Sequence, residues 1–367
     1  MPDPRVVNLA RTLVEYSVAV QPGETVFLTG EVVALPLIRE TYKYVVQAGG
    51  RCIPYLLDED MTDTLTRLGT DDQLEWISPL EDWIAKDAKV LINIRATNNT
   101  RRSSSINPQR GALRAKARAE LAKIRFARSA SGDQRWTLTQ FPTEAYAQEA
   151  DMSLTEFEDF VYGATFADQP DPIRLWKELG KNQQKYVDWL KGKKNVHVHG
   201  PNIDMTLSIE GRTFVNSEGT HNMPSGEIFT GPVEDSVNGW VRFTYPAIRE
   251  GRIVDGVELR FEQGKVVHAT AKKNEEYLLT QLASDPGAKY LGEWAIGTNF
   301  GIQRFTGNIL FDEKIGGTIH MALGRGYPET GSVNESSIHW DMICDMRNGS
   351  EIVVDGELFY KNGQFTF

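Results

Sequence analysis

The spacing of apolar residues changes character near residue 192, and that one change limits the folds open to this chain. Upstream of it, helical and strand patterns take turns. Residues 4–18 repeat Val7, Ala10, Leu13 and Val14 at helical spacing, and Gln21-Pro22-Gly23 turns the chain into an apolar run at Thr25–Leu28. Residues 34–48 read as a helix closed by Gly49-Gly50. Residues 51–57 read as a second, buried strand, and Lys89–Ile94 as a third, followed by a basic helical segment near 108–122. Strands alternating with helices predict a parallel α/β sheet. Ser153 and Glu156 predict a capping box ahead of Phe157–Tyr162, and Asp171-Pro172 opens a helix running to about Leu190. No GxGxxG or P-loop follows any of these strands, so this half reads as scaffold without a nucleotide site.

Downstream the runs shorten and alternate: Val196–His199, Met205–Ile209, Val241–Thr244, Val257–Phe261, Val266–Ala271 and Thr318–Leu323, separated by glycine turns, with one helix over Asn274–Ala283. The expectation is an α/β N-terminal domain with a mainly parallel sheet over residues 1–192. A C-terminal domain of α+β, β-rich character follows over 193–367. A chain of 367 residues has length enough for two such cores.

The net charge of −10 opposes nucleic acid or an anionic membrane surface as the main partner. No apolar stretch reaches the roughly 18 residues of a membrane span, and the expected location is the cytoplasm. Cys52 and Cys344 are too few for a disulfide framework and lie in no CxxC or Cys/His spacing.

Residues able to carry chemistry concentrate between 293 and 341, with Glu227 upstream in Met-Pro-Ser-Gly-Glu-Ile-Phe-Thr. Glu293 stands in Leu-Gly-Glu-Trp-Ala, and Asp312-Glu313-Lys314 leads through two glycines to His320. Tyr327 and His339-Trp340-Asp341 follow. In a strand, residues i and i+2 share a face, so His339 and Asp341 can address one ion, and a neighbouring strand could place His320 opposite them. Imidazoles mixed with carboxylates suit zinc, cobalt or manganese better than calcium. Spacing alone leaves open whether these are ligands or a surface pair on a strand. His197, His199 and His268 read as structural, and His221 as a residue near a cleft without a ligand role.

Across these stretches the sequence resembles the M29 family of metallo-aminopeptidases, the thermophilic group with the aminopeptidase T and aminopeptidase S types. The resemblance rests on Asn222-Met-Pro-Ser-Gly-Glu227-Ile-Phe-Thr, Gly292-Glu293, Leu310-Phe-Asp-Glu313, His320-Met-Ala-Leu-Gly324, Tyr327 and Ile338-His339-Trp-Asp341, in that order, with Phe141-Pro-Thr-Glu-Ala-Tyr in the N-terminal half. It implies that Glu227, Glu293, Glu313, His320, His339 and Asp341 ligate two divalent ions (zinc, cobalt, manganese or magnesium). Glu293 would be the bridging carboxylate and general base, and Tyr327 the stabiliser of the tetrahedral intermediate. The substrates implied are short peptides with a free N-terminus, and the assembly a homodimer. Between Glu313 and His320 the chain carries Lys-Ile-Gly-Gly-Thr-Ile, longer than the Asn-Ala-Ser-Cys linker of some members.

Two rival readings remain. His320, His339 and Asp341 by themselves make a two-histidine, one-carboxylate set, as in a mononuclear non-haem iron ring-cleaving dioxygenase. Three further carboxylates count against that assignment, because one iron has no use for them. The other rival is a non-catalytic protein that keeps the fold and binds peptide or metal structurally. A complete ligand set with Tyr327 present counts against it.

Overall fold

The runs Thr25–Glu31 (β1), Arg51–Leu57 (β2), Val90–Arg95 (β3) and Arg135–Gln140 (β4) form a parallel sheet of order β2-β1-β3-β4 in the computed structural model, which describes residues 2–249 and 251–367. The two-residue strand Asn222–Met223 extends it beside β4. Parallel neighbours need a crossover, which Leu35–Gln47 supplies between β1 and β2. Glu59–Leu68, Asp71–Glu75 and Pro79–Lys86 supply the next, between β2 and β3. Under β1 and β3, Phe27, Ala88 and Leu91 close a small core with Trp83 and Trp136 against it. The N-terminal α/β expectation is met, with one correction. β2 is an edge strand and not a buried one: Ile53, Tyr55 and Leu56 are 41–46% exposed, and Pro54, which has no N–H to donate, suits that edge.

The chain divides into two compact units, one holding the residues up to Leu175 with Gly219–Pro224, the other Trp176–Glu218 with Ser225–Phe367. The division falls inside the helix Pro172–Leu190, whereas the change in apolar spacing points to residue 192. The helix itself explains the difference, because Tyr186, Val187, Trp189 and Leu190 pack into the core of the second unit.

That second unit contains two larger sheets. An eight-stranded antiparallel sheet runs in the order Lys265–Thr270, Glu258–Glu262, Asn238–Arg242, Ile203–Ser208, Asn195–Gly200, Glu351–Val354, Glu357–Lys361 and Gln364–Phe365. A five-stranded antiparallel sheet places Val215–Ser217 beside Glu227–Thr230 (β5), then Leu291–Gly297 (β6), Thr318–Gly324 (β7) and His339–Asp345 (β8). Alternation assigns one face of this sheet to the core: Ile228, Trp294, Ile296, Ile319, Met321, Leu323, Trp340 and Met342 are each at most 3% exposed. Each such side chain contributes about 1.5–3 kcal/mol of burial. The same alternation fixes what the opposite face presents.

Candidate metal centre

Stepping one residue along each strand from the core set gives Glu227 on β5, Glu293 on β6, His320 on β7, and His339 and Asp341 on β8. The register arranges them in rows. Glu293, Ala322 and Asp341 form one row, Phe229, Ala295 and His320 another, while Glu227 lies opposite Gly297 and His339 opposite Gly324. Side chains directly opposite one another have Cβ atoms about 4.5–5.5 Å apart. Alanine or glycine between the bulky donors therefore leaves room at the centre of the face. His320 is not opposite His339 or Asp341 as expected; it pairs with Ile343, and Asp341 with Ala322.

Glu313 arrives from outside the sheet, at the end of the short helix Ile309–Asp312. Asn308 caps that helix by accepting from the Leu310 N–H at 3.1 Å. Asp312 ties the preceding turn by accepting from the N–H and Oγ of Thr306, at 2.7 and 2.8 Å. Burial pushes the Asp312 carboxyl up to about 7.

The six expected ligands converge as three overlapping triads: Glu227, Glu293 and His320; Glu293, His339 and Asp341; Glu313, His320 and Asp341. In each triad the donor atoms lie within 4.8 Å of one another. Glu293 turns Oε1 toward His320 Nε2 at 3.4 Å and Oε2 toward His339 Nε2 at 3.2 Å, one oxygen to each imidazole. His339 Nδ1 donates to the Arg325 carbonyl at 2.7 Å, which aims Nε2 into the cluster, as a backbone carbonyl does for a histidine that binds a metal.

Electrostatics gives the same reading. Burial alone would draw the pKa of both histidines down. Glu293 and Glu227 nevertheless lift His320 to about 9, and Asp341 and Glu293 lift His339 well above its ordinary value. Burial opposes ionisation of Asp341, yet His339 and His320 bring it to about 2. Burial pushes Glu313 up to about 7. Four carboxylates packed so closely demand positive charge between them. Glu227 Oε2, Asp341 Oδ1 and His320 Nδ1 are buried without hydrogen-bond partners among the described residues. Four oxygen donors with two imidazole nitrogens suit borderline divalent cations, so the residues fit a metal.

Tyr327 enters from the loop after β7. Its ring packs on Phe229 and His339, with centroids 5.6 and 5.0 Å away. Burial, with Glu293 and Asp341 adding to it, holds its phenol well above the usual pKa, so it remains a hydrogen-bond donor. Its carbonyl accepts from Thr330 Oγ1 at 2.6 Å. Arg212 pairs with Glu234 and donates to the Gly331 carbonyl, which fixes the rest of the loop.

Several supporting residues escaped the sequence reading. Gln183, on the helix Pro172–Leu190, donates to the Glu227 carbonyl at 3.1 Å and accepts from Thr298 Oγ1 at 2.7 Å. Lys314 lies wholly buried against Glu313 and Glu227. Its position next to Glu313 in Asp-Glu-Lys was the available signal. The other histidines stay apart from the centre: His197 bonds Asp204 at 2.8 Å, His199 approaches Glu351 at 3.4 Å, and His221 stacks edge-on to Trp136.

Comparison with known proteins places the chain in a family and a fold. A family model described as thermophilic metalloprotease (M29) matches residues 3–365. The chain is 28% identical to aminopeptidase 2 of Geobacillus stearothermophilus, over 98% of its own length and 97% of that protein's. It shares its fold with wild-type AmpT from Thermus thermophilus, at TM-score 0.85 and 22% identity with 99% of each chain covered. A more distant likeness, at TM-score 0.59 and 13% identity, is to 2,5-dihydroxypyridine dioxygenase of Pseudomonas putida, covering 98% of this chain and 96% of that one.

Proposed function

The chain belongs to the thermophilic metalloprotease (M29) family, and we propose that it is an aminopeptidase working through two divalent ions held on the open face of β5–β8. The observation that carries this reading is the placement of Glu293, buried, with one oxygen toward each of His320 and His339. A carboxylate so divided suits a bridge between two cations. Glu227 and His320 would complete one position and His339 and Asp341 the other, with Glu313 beside them. Bound there, the ions would supply an acidified water and a Lewis acid for the scissile carbonyl.

The protein's own groups account for the remaining steps. Glu293 takes a proton from the attacking water and delivers it to the leaving amine. Tyr327, kept protonated by its surroundings, donates a hydrogen bond where negative charge develops on the carbonyl oxygen. Phe229 packs edge-on against the ring of Tyr327 and holds it in place. The relatives' designation as aminopeptidases supports short peptides with a free N-terminus as substrates. The family resemblance supports a homodimer. No helix among the described residues is long and apolar enough to cross a membrane. Zinc, cobalt, manganese and magnesium all remain compatible with the donor set.

The test is amino-acid release from Leu-, Phe- and Arg-initiated peptides after chelation and after adding back each metal. Metal-restored release of the first residue is expected, lost with an N-acetylated peptide and with Glu293→Gln. Absence of release with every metal, in folded protein holding a single iron, would replace this reading with the dioxygenase.

A further inference from the structure

Lys314 is the one member of the cluster to which the reaction above gives no task. Its side chain is 0% exposed, its Nζ pairs with Glu313 Oε1, and it stands 3.8 Å from Glu227 Oε1. Its backbone fixes the stem: the N–H donates to the Phe311 carbonyl at 3.0 Å, and the carbonyl accepts from the Asn299 N–H at 3.1 Å. An ammonium group in a dry interior persists only when paired.

The three donor triads do not meet this charge equally. Two of them contain one of its partners, Glu227 in one and Glu313 in the other. In the third, neither Glu293 nor Asp341 makes an ion pair with Lys314 among the described residues. A cation entering beside Glu227 or Glu313 meets a carboxylate whose charge is already partly spent, and it faces a like charge only a few ångströms away. A cation entering at Glu293, His339 and Asp341 meets the weaker penalty, because Lys314 pairs directly with neither carboxylate and reaches Asp341 only by longer-range attraction. Like charges at such range and in such burial interact strongly, since little water screens them.

We propose that Lys314 makes the two cation positions unequal: the one at Glu293, His339 and Asp341 fills first, and the one that includes His320 fills second and exchanges. This rests on the two-ion reading above. A built-in ammonium so placed sets how readily the second ion is gained or lost, and hence how the protein responds to the divalent ion supplied. Lys314 is thus a residue that tunes the site without touching substrate.

The experiment is calorimetric titration of the metal-free full-length protein with Mn²⁺, with stoichiometry from elemental analysis. Wild-type protein is expected to take two ions in steps about tenfold or more apart in affinity. His320→Ala should erase the weaker step and His339→Ala the stronger. Lys314→Met should strengthen the weaker step by about tenfold or more and move the stronger by less than about threefold, while Lys314→Arg keeps the wild-type gap. Lys314→Gln, which retains donors to Glu313 without charge, reads the same gap if the methionine variant does not fold. Two ions bound with the gap unmoved in the neutral variants, or with the step assignment reversed, would overturn the inference alone. One ion or none in wild-type protein would overturn the two-ion reading and the inference with it.

Discussion

Gly292→Ala is expected to disable the centre without touching a ligand. Gly292 sits where the pairing of β6 with β7 slips by a residue, between Leu291 and Glu293, and such a bulge re-aims the side chain that follows. A methyl group there would lie 2.2 Å from the Arg325 carbonyl oxygen and 2.4 Å from that of Gly324. Real side chains essentially never come under 3.0 Å of such atoms. The 325 backbone must therefore retreat by roughly 1 Å in an interior packed too densely to absorb it. The Arg325 oxygen is also the acceptor for His339 Nδ1 at 2.7 Å, so the same displacement breaks the bond that orients His339. Loss of a second-shell partner of this kind costs about 10–100-fold in metal affinity or activity. The assay pairs manganese titration with kcat/KM on a leucyl peptide, using Gly111→Ala as control. Gly111 lies within the helix Pro108–Ala117, and its added methyl meets nothing within 4 Å. Gly292→Ala protein that keeps wild-type metal affinity and turnover would refute the claim that the Arg325 carbonyl holds His339.

The other predictions probe the face, the loop and its anchoring. Tyr327→Phe should lower kcat by about 10²–10³-fold with metal content unchanged, measured by peptide hydrolysis and elemental analysis. Ala322→Val fills the row between Glu293 and Asp341. It should weaken metal binding by at least about tenfold by calorimetry, at an overpacking cost of about 1–3 kcal/mol in urea unfolding. Asp285 accepts from Ala288 N, Ser336 Oγ and both the N–H and Oγ of Ser337, at 2.6–3.1 Å, and so holds the turn before His339. Asp285→Ala should cost about 1–2 kcal/mol near neutral pH. Burial opposes ionisation of Asp285, but those donors win and lower its pKa from 3.8. Its contribution is therefore present above that value and fades as pH falls through the lowered pKa, measured as the narrowing gap between wild type and variant.

The legible parts of this molecule were those where one local rule acts alone. The capping box and the Pro172 helix start are readable because Ser153 with Glu156, and Asp171 ahead of Pro172, satisfy backbone donors within one turn. The i, i+2 rule placed His339 and Asp341 on one face, where they are found. β4 went unread because Arg-Trp-Thr-Leu-Thr-Gln supplies too few apolar residues to show a period, and pairing with β3 makes it a strand. β2 reads as buried from its composition, because an edge strand with exposed Ile53 and Tyr55 looks like a central one.

Pairing register was the part that no local pattern could supply, and the centre depends on it. Glu227, Glu293 and His320 come from segments up to 93 residues apart in number, and only the β5-β6-β7 order brings them to one face. Once that register is known, the small residues become informative. Ala295, Ala322, Gly297 and Gly324 contribute little to burial, yet each stands directly across from a donor. A face built for packing would carry large apolar side chains there, as the opposite face does with Ile296, Ile319, Met321 and Leu323. The two faces of one sheet thus follow opposite rules, one filling every position and the other leaving alternate positions open. Four carboxylates brought that close repel one another, and the Lys314 ammonium pairs with only two of them. The openings opposite Glu293, His320 and His339 are therefore as much a part of the proposed metal centre as the side chains proposed to ligate.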